Sequence, residues 1–281
     1  MRFRDIREFI SFLESKGELL RIKTSVSSEL EITEITDRVV KQGGPALLFE
    51  NVEGYDMPVL INAYGSVQRM AWALGVDRLD DLGSRVRKLL GMVQGPPPGI
   101  LDKVRTLIDI IKMAGYQPKL VRNAPCQEVV LKGLDADMSC IPVLKCWPMD
   151  AGRFITLPLV ITRNPNTGVR NVGTYRMQIY DGQTAGMHWQ THKVGTHHER
   201  VALELGQNKM DVAVALGGDP TTLWTGSAPL PPELDELAMS GFLREEGVEV
   251  VKGVTVDLEV PANAEIVLEG YVIPGELRTE G

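Results

Sequence analysis

All four histidines of this 281-residue chain, His188, His192, His197 and His198, fall within eleven positions. They close the stretch NVGTYRMQIYDGQTAGMHWQTHKVGTHH (171–198), which also holds Asn171 and Arg176. Imidazole ligates metals and moves protons near neutral pH, so this clustering marks where chemistry is expected. Taken as a strand after the Asp181-Gly182 turn, residues 184–192 alternate, with His188, Gln190 and His192 on one face. A helix would also align His188 with His192, but Gly186 and the aromatic neighbour favour a strand. Two imidazoles beside a glutamine are poor core material, so that face should meet solvent, a ligand or an ion. His197 and His198 read as ordinary surface residues at a helix entry. Asn171 and Arg176 are five positions apart and would face opposite sides of an ideal strand. Either a bulge near Gly173 rotates the chain, or the two serve different parts of a ligand. Arginine suits a carboxylate or a phosphate, and equally a plain surface ion pair.

Further along, Gly217-Gly218-Asp219-Pro220 forms a tight turn before a threonine-rich loop. Gly226-Ser227-Ala228-Pro229 can bring backbone amides close to an anion, as a nest does. Glu233, Asp235 and Glu236 open a helix, where acids ordinarily complement the dipole. One of them could instead ligate a metal. An Asn oxygen, a His nitrogen and a Glu oxygen would form a mostly hard site, suited to manganese or magnesium rather than structural zinc.

The elements that must position these residues divide the chain in two. Helical spacing predicts helices over 3–16 and 28–41, then strands at PALLFENV and MPVLINAYG, then helices near 67–75 and 77–90. GPPPGI (95–100) and the end of a following helix near Gly115 mark a boundary, giving an α/β domain over 1–116 and a β-rich domain over 117–281. The second part carries the runs CQEVVL, FITLPLVITR, VRNVGTYRMQIY, GMHWQTH, MDVAVALGG, VEVVKGVTV and EIVLEGYVI, with helices near 197–206 and 232–245. Many short strands at this spacing suggest a barrel or a sandwich. A net charge of −7 argues against nucleic-acid binding, which needs a basic stripe. No run approaches the roughly 20 apolar residues of a membrane span. The N-terminus lacks a signal peptide's apolar core, and three cysteines without CxxC spacing fit a reducing cytoplasm.

Taken in order, NVGTYR, MHWQTH, ALGGDP, GSAPLP, an acid-started helix with SGFLRE, and DLEVPANAEIVLEGYV resemble the UbiD family of (de)carboxylases. The resemblance implies an α+β fold in which the N-terminal domain precedes a split β-barrel like that of flavin reductases. It implies prenylated FMN (or FMN) as cofactor and reversible, non-oxidative decarboxylation of an aromatic or α,β-unsaturated acid. Carried over residue by residue, Asn171, His192 and Glu236 would hold Mn²⁺ (or Mg²⁺) against the flavin phosphate, with K⁺ nearby. Gly173, Thr174, Thr191, Ser227, Ala228 and Pro229 would line the cofactor. Arg176 and Glu280 would be the catalytic pair, Glu280 being the first of two acids. The flavin would serve as electron sink, while arginine and glutamate supply positioning and a proton.

The family pattern continues past Glu280-Gly281 with the second acid, closing strands and a C-terminal domain. The expectation is therefore a barrel lacking its last strands, active only with that further portion or a second subunit. A UbiX-type flavin prenyltransferase would supply the cofactor, and a homo-oligomer in the cytoplasm is expected. Two other readings stay open: a flavin- and metal-binding subunit without catalysis, and a flavin-reductase-like protein.

Overall fold

The computed structural model describes residues 2–93, 115–230 and 234–280. Helix α1 (Ile6–Ser15) starts where the Asp5 carboxylate caps the Glu8 N–H, and it buries Ile6, Phe9 and Leu13 on one stripe. Gly17 at φ 71° follows it, a conformation in which any other L residue would be strained. Helix α2 (Glu31–Lys41) begins three residues later than its sequence pattern suggests, after Leu30 at φ 65°. Strands β1 (Leu19–Ile22), β2 (Ala46–Phe49) and β3 (Val59–Ile61) form a sheet of order β1-β2-β3. Every residue of β2, ALLF, is buried, as a continuous apolar run between packed helices should be. Ser66 caps α3 (Val67–Ala73), and α4 (Leu79–Val93) follows. The expected GPPPGI boundary and the helix after it lie outside the described residues.

Beyond residue 115, three further sheets form. Strands β4 (Lys119–Leu120), β11 (Glu249–Lys252) and β12 (Glu259–Pro261) make one, in the order β12-β11-β4. Strands β5 (Arg153–Ile155), β8 (Met177–Ile179) and β9 (Ala185–Met187) make the second. The largest runs β13-β10-β6-β7, from β6 (Leu159–Arg163), β7 (Arg170–Thr174), β10 (Met210–Leu216) and β13 (Ile266–Val272). Alternation divides its side chains between two cores. Leu159, Ile161, Val172, Ala213 and Ala215 enter one, and Val160, Val212 and Val214 enter the other. Helix α5 (Val194–Glu204) packs on the second face, where His198 Nδ1 meets Thr162 Oγ1 at 2.9 Å. Helices α6 (Pro220–Thr225) and α7 (Glu236–Arg244) complete the described elements.

Several expectations need correction. FITLPLVITR is two strands, because Pro158 cannot donate to a ladder, and the chain passes from the β5 sheet to the β6 sheet there. VRNVGTYRMQIY breaks at Tyr175-Arg176 and passes back, from β7 to β8. No bulge is needed to separate Asn171 from Arg176: Asn171 lies on β7 and Arg176 in the link that carries the chain to β8 of another sheet. The predicted strand over 184–192 ends at Met187, with Thr191 and His192 already in the turn entering α5. That helix starts at Val194 rather than 197, and His198 is buried rather than superficial. CQEVVL is no strand but a short 3₁₀ turn (Pro125–Gln127) followed by irregular chain that pairs with no described strand, with Val129, Val130 and Leu131 exposed. The α+β class holds; no sheet closes on itself among the described residues.

Candidate active site

The β8–β9 hairpin pairs Met177 with Met187, which sets Arg176 opposite His188 at its open end. The His188 N–H donates to the Arg176 carbonyl at 3.1 Å, extending the ladder by one bond. Side chains at opposed positions of an antiparallel pair project on the same side. Glu280 arrives between them from the far end of the chain: Arg176 Nε donates to its Oε1 at 2.8 Å, and His188 Nδ1 engages Oε2. The incoming segment is pinned where the Tyr180 hydroxyl donates to the Thr279 carbonyl at 3.2 Å and Arg278 lies over the Tyr180 ring. Beneath Arg176, the Phe154 ring centroid is 5.2 Å from the guanidinium carbon. Burial pushes the Glu280 carboxyl up, but hydrogen bonds from Arg176 and His188 outweigh it and hold the group below the usual range. The hydrogen bond to Glu280 in turn raises the Arg176 guanidinium further. Arg176 uses only Nε here, and its two Nη groups make no hydrogen bond among the described residues.

A second cluster lies along β7, the outer strand of its sheet. Its outward amides must find partners off the sheet. The Val172 N–H donates to Glu236 Oε2 at 2.9 Å, and the Thr174 N–H to the Gly226 carbonyl at 3.0 Å. Glu236 is delivered by the first turn of α7, which Asp235 caps by accepting from Leu237 and Ala238. Burial pushes the half-buried Glu236 carboxyl up to about 7, against the opposing pull of the Val172 and Glu236 N–H groups. The adjacent cation, Arg170, is spent on Asp235 and Glu259 instead. Asn171, buried in β7, donates from Nδ2 to the Tyr175 hydroxyl at 3.5 Å, and that oxygen also accepts the Gly195 N–H at 3.3 Å. His192 sits in the turn between Trp189 and Gly195, both of which contact Tyr175. It is exposed and makes no hydrogen bond or ion pair with Asn171 or Glu236.

Glu236 therefore meets the backbone of β7 next to Asn171, but the side chains of Asn171, His192 and Glu236 make no hydrogen bond or ion pair with one another among the described residues. Among the described residues no three His, Cys, Asp or Glu side chains converge on one point. The donor types of the three residues, a carboxylate, a carboxamide oxygen and an imidazole, are of the kind a hard or borderline divalent ion takes. Glu236 is a half-buried acid whose charged form is disfavoured by burial and only partly relieved by Arg170, which is itself paired with Asp235 and Glu259.

The remaining expected positions are close by. Thr174 Oγ1 and Ser227 Oγ lie 3.2 Å apart at the end of β7. Gly173 has no room for a side chain, since an added Cβ would lie 2.4–2.5 Å from the Tyr175 ring and hydroxyl. Thr191 is exposed in the turn with His192, while Ala228 and Pro229 follow Ser227. The nest expected at 226–229 does not form. The N–H groups of Gly226, Ser227 and Ala228 donate to the Thr222, Trp224 and Thr225 carbonyls, so the turn offers hydroxyls rather than free amides. His188 as a partner of Glu280 was not foreseen; the only signal for it is the register of a hairpin, which single residues do not show.

The chain belongs to the UbiD family. Its residues 119–281 match the 3-octaprenyl-4-hydroxybenzoate carboxy-lyase Rift-related domain, and residues 10–86 match the corresponding N-terminal domain. An uncharacterized protein of Archaeoglobus fulgidus is 50% identical over 281 residues, covering 100% of this chain and 57% of its own length. Another from Aquifex aeolicus is 49% identical over 277 residues, 98% of this chain and 56% of its own length. The chain thus spans less than three fifths of these curated relatives.

Among solved structures, an evolved dimeric form of the UbiD-class enzyme HmfF from Pelotomaculum thermopropionicum, in complex with prFMN, superposes with a TM-score of 0.83 at 31% identity. That match covers 99% of this chain and 60% of the enzyme. Vanillic acid decarboxylase of Sedimentibacter hydroxybenzoicus, in closed form, gives 0.78 at 26% identity over 97% of this chain and 56% of its own. Apo 3,4-dihydroxybenzoic acid decarboxylase of Klebsiella pneumoniae gives 0.79 at 26%, over 98% and 55%. The mixed α+β fold resembles that of UbiD-class enzymes, and among the described residues no helix is long and apolar enough to cross a membrane.

Proposed function

We propose that this chain carries the cofactor site and the arginine–glutamate pair of a UbiD-type carboxy-lyase acting reversibly on an aromatic or α,β-unsaturated acid. The observation that carries the reading is the ion pair of Arg176 and Glu280, two residues 104 positions apart brought to 2.8 Å. A flavin carrier or a flavin reductase has no need of such a pair. Prenylated FMN, when bound, supplies the electron sink for the carbon that loses CO₂. Arg176 holds the substrate carboxylate through its Nη groups, in the bidentate manner guanidinium favours, while Nε stays on Glu280. Glu280, kept ionised by its donors, orients the guanidinium, and Phe154 supports it from below.

Asn171, His192 and Glu236 would hold Mn²⁺ or Mg²⁺, whose charge makes a flavin phosphate tolerable within protein. A monovalent ion such as K⁺ would complete that charge balance. Gly173, Thr174, Thr191, Ser227, Ala228 and Pro229 would line the flavin. In this reading residues 117–281 contribute to a split β-barrel behind a separate domain over 1–116. The cofactor comes from a UbiX-type prenyltransferase, and the working enzyme is a cytoplasmic oligomer. The HmfF structures in complex with prFMN and with FMN support the choice of cofactor.

The test is CO₂ release from a panel of aromatic and unsaturated acids by the complete protein loaded with prenylated FMN. Turnover is expected for at least one acid, with Arg176→Ala slower by at least about a hundredfold, the scale of a lost bidentate charged contact. A flavin-loaded parent that releases no CO₂, or an Arg176→Ala variant as fast as the parent, would sink the reading.

A further inference from the structure

The carboxylate of Glu280 has two oxygens, and the fold supplies a separate donor for each. One donor is the arginine of the proposed catalytic pair. The other, His188, has no assigned part in that chemistry. Its placement is not incidental to a mobile surface side chain: the pairing of Met177 with Met187 and the bond from the His188 N–H to the Arg176 carbonyl lock the two donors opposite each other. Arg176 and His188 are thus the two prongs of a fork built on one hairpin end, with Glu280 between them.

We infer that His188 is a positioning residue for the proposed decarboxylation: its Nδ1 holds Oε2 of Glu280 so that Oε1 stays on Arg176 Nε and the Arg176 Nη groups remain turned to the substrate. The inference rests on the decarboxylase reading for its catalytic consequence, and on the hairpin geometry alone for the contact. With a single donor, a carboxylate can rotate about its terminal bond and swing off Nε to the Nη groups, where it competes with the substrate acid. A second donor across the hairpin removes that freedom. The charged groups bearing on the fork are few. Glu280 and Arg176 form its centre, Asp150 acts on Arg176 from the loop before β5, and Arg278 sits over Tyr180 just past the end of β8. The hydrogen bonds from Arg176 and His188 both hold the Glu280 carboxyl down against its burial.

Two substitutions separate geometry from mere packing. His188→Asn keeps a donor near the place of Nδ1, and His188→Leu fills the space without one. In the complete prenylated-FMN enzyme, His188→Leu should lower kcat by about tenfold, as expected for a lost hydrogen bond to a charged group, with little change in KM. His188→Asn should recover to within about threefold of the parent, and the acid limb of the pH profile should move up in His188→Leu alone. Independently of turnover, NMR of carboxyl-labelled glutamate, assigned through Glu280→Gln, should show Glu280 titrating at higher pH in His188→Leu than in the parent. An unchanged Glu280 titration in His188→Leu would overturn the inference whatever the activity. A shifted titration with no CO₂ release by the parent would instead overturn the decarboxylase reading, and the catalytic purpose of the contact with it. Equal loss of kcat in His188→Asn and His188→Leu, with an unmoved pH profile, would reduce His188 to a packing residue.

Discussion

Glu236→Gln offers a direct test of the proposed ion site, because the burial of Glu236 sets the sign of the effect and its scale. The amide keeps an oxygen for the Val172 N–H, 2.9 Å away, and removes only the charge. Burial raises the Glu236 carboxyl from 4.5 to about 7, so in metal-free protein ionisation is less favourable folded than unfolded. Below the ordinary value both states are protonated and no penalty applies. Stability is then lost as pH rises from 4.5 through about 7, and the loss is complete above that. A displacement of that size corresponds to about 3 kcal/mol, and solvent reaching the half-buried group reduces it to about 2 kcal/mol. Urea unfolding in EDTA should therefore find Glu236→Gln more stable than the parent by about 2 kcal/mol at pH 8, and equal to it within about 0.5 kcal/mol at pH 4. Added Mn²⁺ at a hundredfold excess over its dissociation constant should stabilise the parent by about 2.7 kcal/mol and leave the variant nearly unchanged. Parallel stability curves for the two proteins across this pH range would refute the argument from burial. Equal Mn²⁺ stabilisation of both would remove Glu236 from the ion site.

Two other substitutions probe the surrounding scaffold. Gly173→Ala places a Cβ against the Tyr175 ring and should destabilise the protein by about 1–3 kcal/mol while weakening flavin retention, measurable by unfolding and by absorbance after gel filtration. His198 is buried against Thr162, and burial, helped by the neighbouring His197, lowers its imidazole to about 4. Stability should fall as pH drops from 6.5 toward 4, and His198→Gln should abolish about 3 kcal/mol of that acid loss; an equal loss in the variant would show that His198 is not its source.

How far the sequence could be read depended on the range of the interaction. Helix α1 was legible because Ile6, Phe9 and Leu13 mark one stripe and Asp5 and Gly17 mark its ends, all within a few residues. Strands β10 and β13 were legible because each is a seven-residue run dominated by apolar and β-branched side chains and flanked by turn residues. CQEVVL misled for the converse reason. Its residues favour a strand, but strand formation is decided by pairing with a partner, and among the described residues these pair with none. The predicted strand over 184–192 likewise ran on past Met187, since nothing local announces where a partner ends. At the site, the motif order by itself pointed to the family, to Arg176 and to Glu280. It did not show that the amides of Gly226, Ser227 and Ala228 are consumed in their own turn.

By itself the sequence determined the family, the α+β class and which residue types are available for chemistry, because motifs and short-range periodicity are properties of neighbouring positions. Only the tertiary structure decided which of those residues meet. Asn171 lies on β7 and Arg176 beyond it, in the link to another sheet, because the chain changes sheet there, and Glu236 reaches β7 because an outer strand leaves an amide to be satisfied. His188 joins Arg176 on Glu280 because a hairpin register puts them opposite each other, and a segment 92 positions further on returns to fill the gap. Such contacts depend on sheet pairing across the whole chain, a long-range quantity that no local pattern carries.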